Sequence, residues 1–146
     1  MSEAMYQFYF ILDERNNSIP ELDAIKWARW MEDARKSRRT VVGQQTFKIR
    51  GHEMLVSTVF LGANHNFLRD EEEPILYETM VLGNEDIIKE LAKMSEQVES
   101  SIIAMFTGTI DIQRRYNSRT AAIKGHDQMV HFVEVCSVQL NLSQEV

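Results

Sequence analysis

Three side chains in this sequence have the chemistry of a transition-metal site: His65, Glu78 and His126. Imidazole nitrogens and a carboxylate suit Zn²⁺ and related ions, and such a cluster would serve a small metal-dependent hydrolase. No HxH, HExxH or CxxC spacing links them, so their convergence rests wholly on the fold. The plainer reading makes His126 a hydrogen-bonded histidine at a helix–sheet interface and His65 a loop residue. Glu78 alternates with Leu76, Met80 and Leu82. Turned into an apolar layer, its carboxylate would need a partner, and it could then act as a general acid or base. A salt bridge to Arg119 or Lys124, or simple exposure, is the competing explanation.

A second set fits an anionic, nucleotide-like ligand. Arg114, Arg115 and Arg119 offer guanidinium forks, the helix start near Asn117 and Ser118 adds backbone donors, and Tyr116 or Trp27 can stack on a base. The set lacks a glycine-rich phosphate loop of either the GxGxxG or the Walker type. Ser57 and Ser118 lie outside any GxSxG context, and Cys136 sits in an apolar stretch where a thiol is inert. No catalytic residue is assigned and no cofactor is expected.

The elements that must position these groups follow from periodicity. Residues 55–62 and 75–83 read as two strands rich in Val, Leu, Phe and Tyr, and form the expected centre of a sheet. The connection between them, 63–74, carries His65 and the acidic run Asp70–Glu73, which marks a surface loop. Residues 5–13 alternate as a first strand. Ser18 and Glu21 match a capping box, with Pro20 in the first turn of a helix over 20–35. Its apolar face combines Leu22, Ile25 and Ala28 with Ala24, Trp27 and Met31, flanked by Trp27 and Trp30. Residues 40–50 form an exposed or edge strand bulged at Gly43, and Gly51-His52-Glu53 turns the chain into the central pair. Asn84 caps an amphipathic helix over 84–106 whose stripe is Ile87, Leu91, Met94, Val98, Ile102 and Met105. Gly108 ends it, and 109–113 can form a short strand before Arg114-Arg115-Tyr116. A last helix over 118–132 carries Ala122, His126, Met129, Val130 and Val133 on one face. Val133, Val135 and Val138 leave 132–140 open between helix and strand.

The whole is one α+β domain of 146 residues: a mainly antiparallel sheet with helices packed on one face, plus the long amphipathic helix 84–106. A formal charge of −6 argues against a duplex nucleic-acid binder. Two basic clusters stand out, Arg35-Lys36-Ser37-Arg38-Arg39 and Arg114-Arg115 with Arg119, each of which also reads as solvated helix-end or turn charge. A single cysteine, no basic-apolar leader and no apolar run of membrane-spanning length point to a cytosolic protein.

Several stretches carry a resemblance: VSTVFLG at 56–62 with Asn64-His65 after it, PILYETMV at 74–81, Arg115-Tyr116 leading to Gly125-His126 and Met129-Val130, and the TrpAlaArgTrp helix at 27–30. Together they resemble a family of small phage and prophage proteins of uncharacterised function. The chain departs from it in carrying Asn64 where the family tends to have Asp, and in having the helical segment 84–106 in place of a short connection. The resemblance implies a phage accessory product made in the host bacterial cytoplasm and no known activity; the general tendency of small accessory phage proteins to act by binding points to a binder rather than an enzyme. It would neutralise a host component, as an anti-defence protein that sequesters a small anionic ligand or inhibits a host protein. The narrow stripe of 84–106 suggests a homodimer. The metal-dependent hydrolase built on His65, Glu78 and His126 is the alternative, and an acidic decoy resting on Asp70–Glu73 is a third reading.

Overall fold

The computed structural model describes residues 7–65, 73–97 and 112–143. Phe10–Leu12 (β1) and Ser18–Pro20 (β2) form a two-stranded hairpin, followed by a helix over Ala24–Lys36 (α1). Val41–Ile49 (β3), His52–Phe60 (β4), Tyr77–Leu82 (β5) and Gln113–Tyr116 (β6) make an antiparallel four-stranded sheet in that order. Two further helices, Glu85–Gln97 (α2) and Arg119–Ser143 (α3), complete an α+β fold with the expected central pair β4–β5.

The first strand departs from the reading of residues 5–13 as a sheet strand. Residues 5 and 6 lie outside the described residues, and β1 pairs with β2 instead of entering the main sheet. The Asp13 carboxylate accepts the Arg15 and Asn17 amides at 2.9 Å each, and Asn16 takes a left-handed backbone with φ 64°. That local turn reverses the chain before a longer strand can form. The hairpin touches the sheet through a bridge between Tyr9 and Ala63 and the Phe10 amide on the Gly62 carbonyl.

Ser18 and Pro20 therefore lie in β2, and α1 starts later than the capping box suggested. Asp23 is its N-cap, in extended backbone, and its carboxylate accepts from the Ile25 and Lys26 amides. The inward face shifts accordingly. Met31 and Ala34 are buried and both tryptophans pack against the core, whereas Leu22 and Ile25 are 84% and 65% exposed. Two apolar stripes overlap in this helix, and the one with the two indoles wins because it buries the larger surface. Gly62 makes the close approach possible: with φ 76°, it faces the Met31 sulfur at a distance that would put a Cβ 2.4 Å away.

β3 is an edge strand with its register shift between Val41 and Gly43, as the glycine foreshadowed. The hairpin to β4 turns on Arg50 and Gly51, both at positive φ, and His52 is already in the strand. Arg50 clamps this turn to both helices. Its amide donates to Asn141 Oδ1, its Nε to the Leu140 carbonyl and its Nη1 to Glu90.

Asn84 caps α2 by accepting from the Asp86 and Ile87 amides. Asn84→Ala is expected to cost about 1 kcal/mol of stability, with Asn84→Asp close to wild type, measurable by urea denaturation. Of the stripe assigned to self-association, Ile87 and Leu91 are buried in the core and Met94 packs against it. The remaining stripe positions lie outside the described residues, as do 109–111 of the strand expected at 109–113. Gln113–Tyr116 is the observed strand, so Arg114, Arg115 and Tyr116 sit in the sheet and not in a turn.

α3 settles the open question at 132–140 in favour of helix. Phe132, Val133, Cys136 and Leu140 are all buried at helical spacing, while Val135 and Val138 face solvent. Burial of the periodic set outweighs the modest strand preference of valine. Among the described residues no helix is long and apolar enough to cross a membrane.

The core divides into two apolar clusters with a polar layer between them. One gathers Met54, Val56, Val81, Leu91, Met129 and Val133, and the other Phe10, Met31, Phe60, Tyr77, Tyr116 and Ala122. Along β4, Thr58 separates Val56 from Phe60; along β5, Thr79 separates Val81 from Tyr77; along α3, His126 separates Ala122 from Met129. The polar layer thus follows from residue order in three elements.

Candidate functional site

Strand register puts Thr58 directly opposite Thr79, with their hydroxyl oxygens 2.5 Å apart. His126 Nδ1 reaches the Thr58 hydroxyl at 2.7 Å from α3, and the Tyr116 hydroxyl donates to Thr79 at 3.0 Å from β6. Tyr116 donates to Thr79, while Thr79 and Thr58 can each accept as well as donate. Two orders therefore satisfy the layer: Thr79 donating to Thr58 and Thr58 to His126 Nδ1, with the ring proton on Nε2, or His126 Nδ1–H donating to Thr58 and Thr58 to Thr79. Burial pulls the His126 pKa below its ordinary value, with Asp127 opposing, and so favours a neutral ring in either order. Burial also raises the Tyr116 hydroxyl, against the smaller effects of Thr79 and Arg114. Two glycines admit the aromatic members. A Cβ on Gly43 would lie 2.7 Å from His126 Nε2, and one on Gly125 would lie 2.2 Å from the Tyr116 oxygen. Thr58 and Thr79 are fully buried, so the layer acts as an internal lock on strand register and helix docking.

The metal reading fails on geometry. Glu78 precedes Thr79 in β5 and so points to the sheet face away from α3, where His126 sits. Its carboxylate pairs with Arg115, its cross-strand neighbour, at 3.0 Å, and accepts from Gln113. The partner is Arg115, not Arg119 or Lys124. His65 lies beyond the end of β4, its amide on the Ile75 carbonyl. His65, Glu78 and His126 do not meet, and no group of three metal-ligating side chains occurs among the described residues.

The residues read as an anion site are likewise dispersed. Arg115 faces away from α3 with Glu78, while Arg114 donates to Gln128 of α3 and lies over the Tyr116 ring at 5.4 Å. Ser118 caps α3 through the Ala121 amide. Trp27 donates its indole N–H to the Gly62 carbonyl and packs on Tyr9, so its indole is committed to the fold. Arg119 lies close to the Tyr77 hydroxyl, and its buried Nη1 has no hydrogen-bond partner among the described residues. Ser57 is buried and accepts from Gln44, and burial pushes the Cys136 thiol up to about 11, which keeps it protonated and unreactive.

A different cationic surface emerges on α1. Ala28, Arg29, Glu32, Arg35 and Lys36 line a shallow open groove of about 550 Å³ on the side of the helix opposite Trp30, Met31 and Ala34. Lys36 and Glu32 form a loose, exposed i,i+4 pair at 3.9 Å. Arg29 and Arg35 have no ion pair among the described residues. In the neighbouring basic run, Arg39 is engaged by Asp13, Asn16 and Trp30, and Arg38 by Gln44. Arg29 escaped notice because the basic run was read as contiguous charge. Its signal was helical spacing: 29, 32 and 36 share a face with 28 and 35.

Comparison of the chain with family models, with curated proteins and with solved structures finds no match.

Proposed function

We propose that this chain is a binding protein whose partner is anionic and docks on the outward face of α1. The observation that supports this most directly is the groove at Ala28, in which two guanidiniums without ion-pair partners among the described residues gather beside the Lys36–Glu32 pair on a chain of net charge −6. In the setting that the resemblance implies, the protein is a phage accessory product that neutralises a component of the host bacterial cytoplasm. Self-association through 84–106 does not enter this reading, because Ile87, Leu91 and Met94 serve the protein's own core.

Fluorescence polarisation with a labelled oligoglutamate peptide and with nucleoside triphosphates tests the reading. Salt-dependent binding of one probe class is expected, and Arg29→Glu with Arg35→Glu should weaken it at least about tenfold, or about 1.4 kcal/mol. Both side chains are exposed, so the double variant should melt like wild type. Absence of binding to either class, or affinity indifferent to the charge reversal, would overturn it.

A further inference from the structure

We infer that the partner on α1 is an acidic protein segment that also presents aliphatic side chains, rather than a free nucleotide or phosphate. This rests on the anion-binding reading of the same face. Ile25, 65% exposed, lies in the first turn on the helix side that carries Arg29 and Lys36, and Leu22, 84% exposed, precedes the N-cap Asp23. The face is therefore polarised along its length, aliphatic at its start and cationic further on. From residue 25 to residue 36 it covers roughly 16 Å, the length of about three helical turns. A phosphate would use the cationic end alone and leave the two aliphatic side chains in water. A nucleotide would want a ring to stack on, and both nearby indoles are engaged: Trp27 packs on Tyr9, and Trp30 on Phe60 with Arg39 over its ring. Aliphatic and acidic side chains displayed in sequence on one segment match both ends, in the manner of helix and peptide recognition by grooves.

The test uses the whole protein and three probes. The first is a synthetic peptide with leucines on one helical turn and four glutamates two turns on; the second replaces those leucines with serine; the third is inorganic triphosphate. The leucine peptide should bind at least about tenfold tighter than the serine peptide. Leu22→Ser with Ile25→Ser should erase that difference while leaving the weaker, salt-dependent binding of the serine peptide. Arg29→Glu with Arg35→Glu should abolish binding of both peptides. Equal affinity of the Leu22→Ser/Ile25→Ser protein and wild type for the leucine peptide would overturn the inference and leave anion binding intact. Triphosphate binding as tightly as the leucine peptide would also overturn it. Failure of all three probes would instead remove the reading on which it rests. Sedimentation of the protein alone covers the remaining occupant: an oligomer dispersed by Leu22→Ser with Ile25→Ser would assign the face to a second copy and overturn the proposal.

Discussion

Gly125→Ala is expected to destabilise this protein by roughly 2–4 kcal/mol, although alanine is the better helix former. At an unconstrained helical position the change would stabilise by about 1 kcal/mol. Here the added methyl would lie 2.2 Å from the Tyr116 oxygen and 2.3 Å from its Cε1 and Cζ. The ring has little freedom to yield, being 7% exposed, donating to Thr79 and covered by Arg114. Moving it breaks the hydrogen bond at the head of the polar layer, so steric and polar costs combine. Urea denaturation should show the loss. Because the clash is with one ring, Tyr116→Ala should relieve it, making the double variant more stable than the two single losses added together. A Gly125→Ala protein more stable than wild type would refute the packing account.

Thr58→Val is expected to cost about 2–4 kcal/mol with little change in volume. The valine keeps the shape of threonine but removes the hydroxyl that bonds both Thr79 and His126. Two buried groups lose partners at once, which is why the effect exceeds that of an ordinary hydrogen bond. Tyr116→Phe removes only the first donor of the series and should cost about 1 kcal/mol. The same layer also sets a pH dependence. His126 has its pKa lowered in the fold from the ordinary 6.5, chiefly by burial. As pH falls through that value the unfolded chain takes up the proton first, so stability is greatest above it and declines below it until the folded ring also titrates. For one proton the slope cannot exceed about 1.4 kcal/mol per pH unit. Gly43, Thr58, Thr79 and Tyr116 face the imidazole layer from the four strands, and the neighbouring Asp127 carboxylate partly offsets the shift. His126→Gln can still accept from Thr58 and should remove this component from the stability profile between pH 7 and 5. An unchanged profile would show that His126 does not contribute.

Much of the architecture was legible because it depends on short-range chemistry. Alternation marked β4 and β5, Gly43 marked the bulge, Asn84 declared itself as a cap, and the period of Ala122, His126, Met129 and Val133 marked the inner face of α3. The candidate site was much less so. Arg115, Glu78 and His126 were each recognisable as chemical groups, but their grouping depended on which sheet face α3 covers. Alternation fixes only that Glu78 and Thr79 face opposite ways; docking of a helix more than thirty residues downstream decides which of them meets His126.

Local pattern also could not rank competing solutions. Ser18 fitted a capping box that the fold does not use, Asp23 taking the cap instead, and α1 carried two overlapping apolar stripes. Pairing of Ser18–Pro20 with β1 removed the first cap, and packing of Trp27 and Trp30 against the core turned Leu22 and Ile25 outward. At 132–140 the β-branched valines pulled one way and burial of Phe132, Cys136 and Leu140 the other. By itself, then, the sequence determined most element types, the central strand pair, the Asn84 cap and the order of residues that makes a polar layer, because these rest on propensity and periodicity within a few residues. Only the tertiary structure decided which faces are buried, that Glu78 belongs to Arg115, and that Arg29, Arg35 and Lys36 lie open on a helix whose first turn exposes Ile25. Those outcomes arise from long-range packing, where the larger buried surface prevails over local preference.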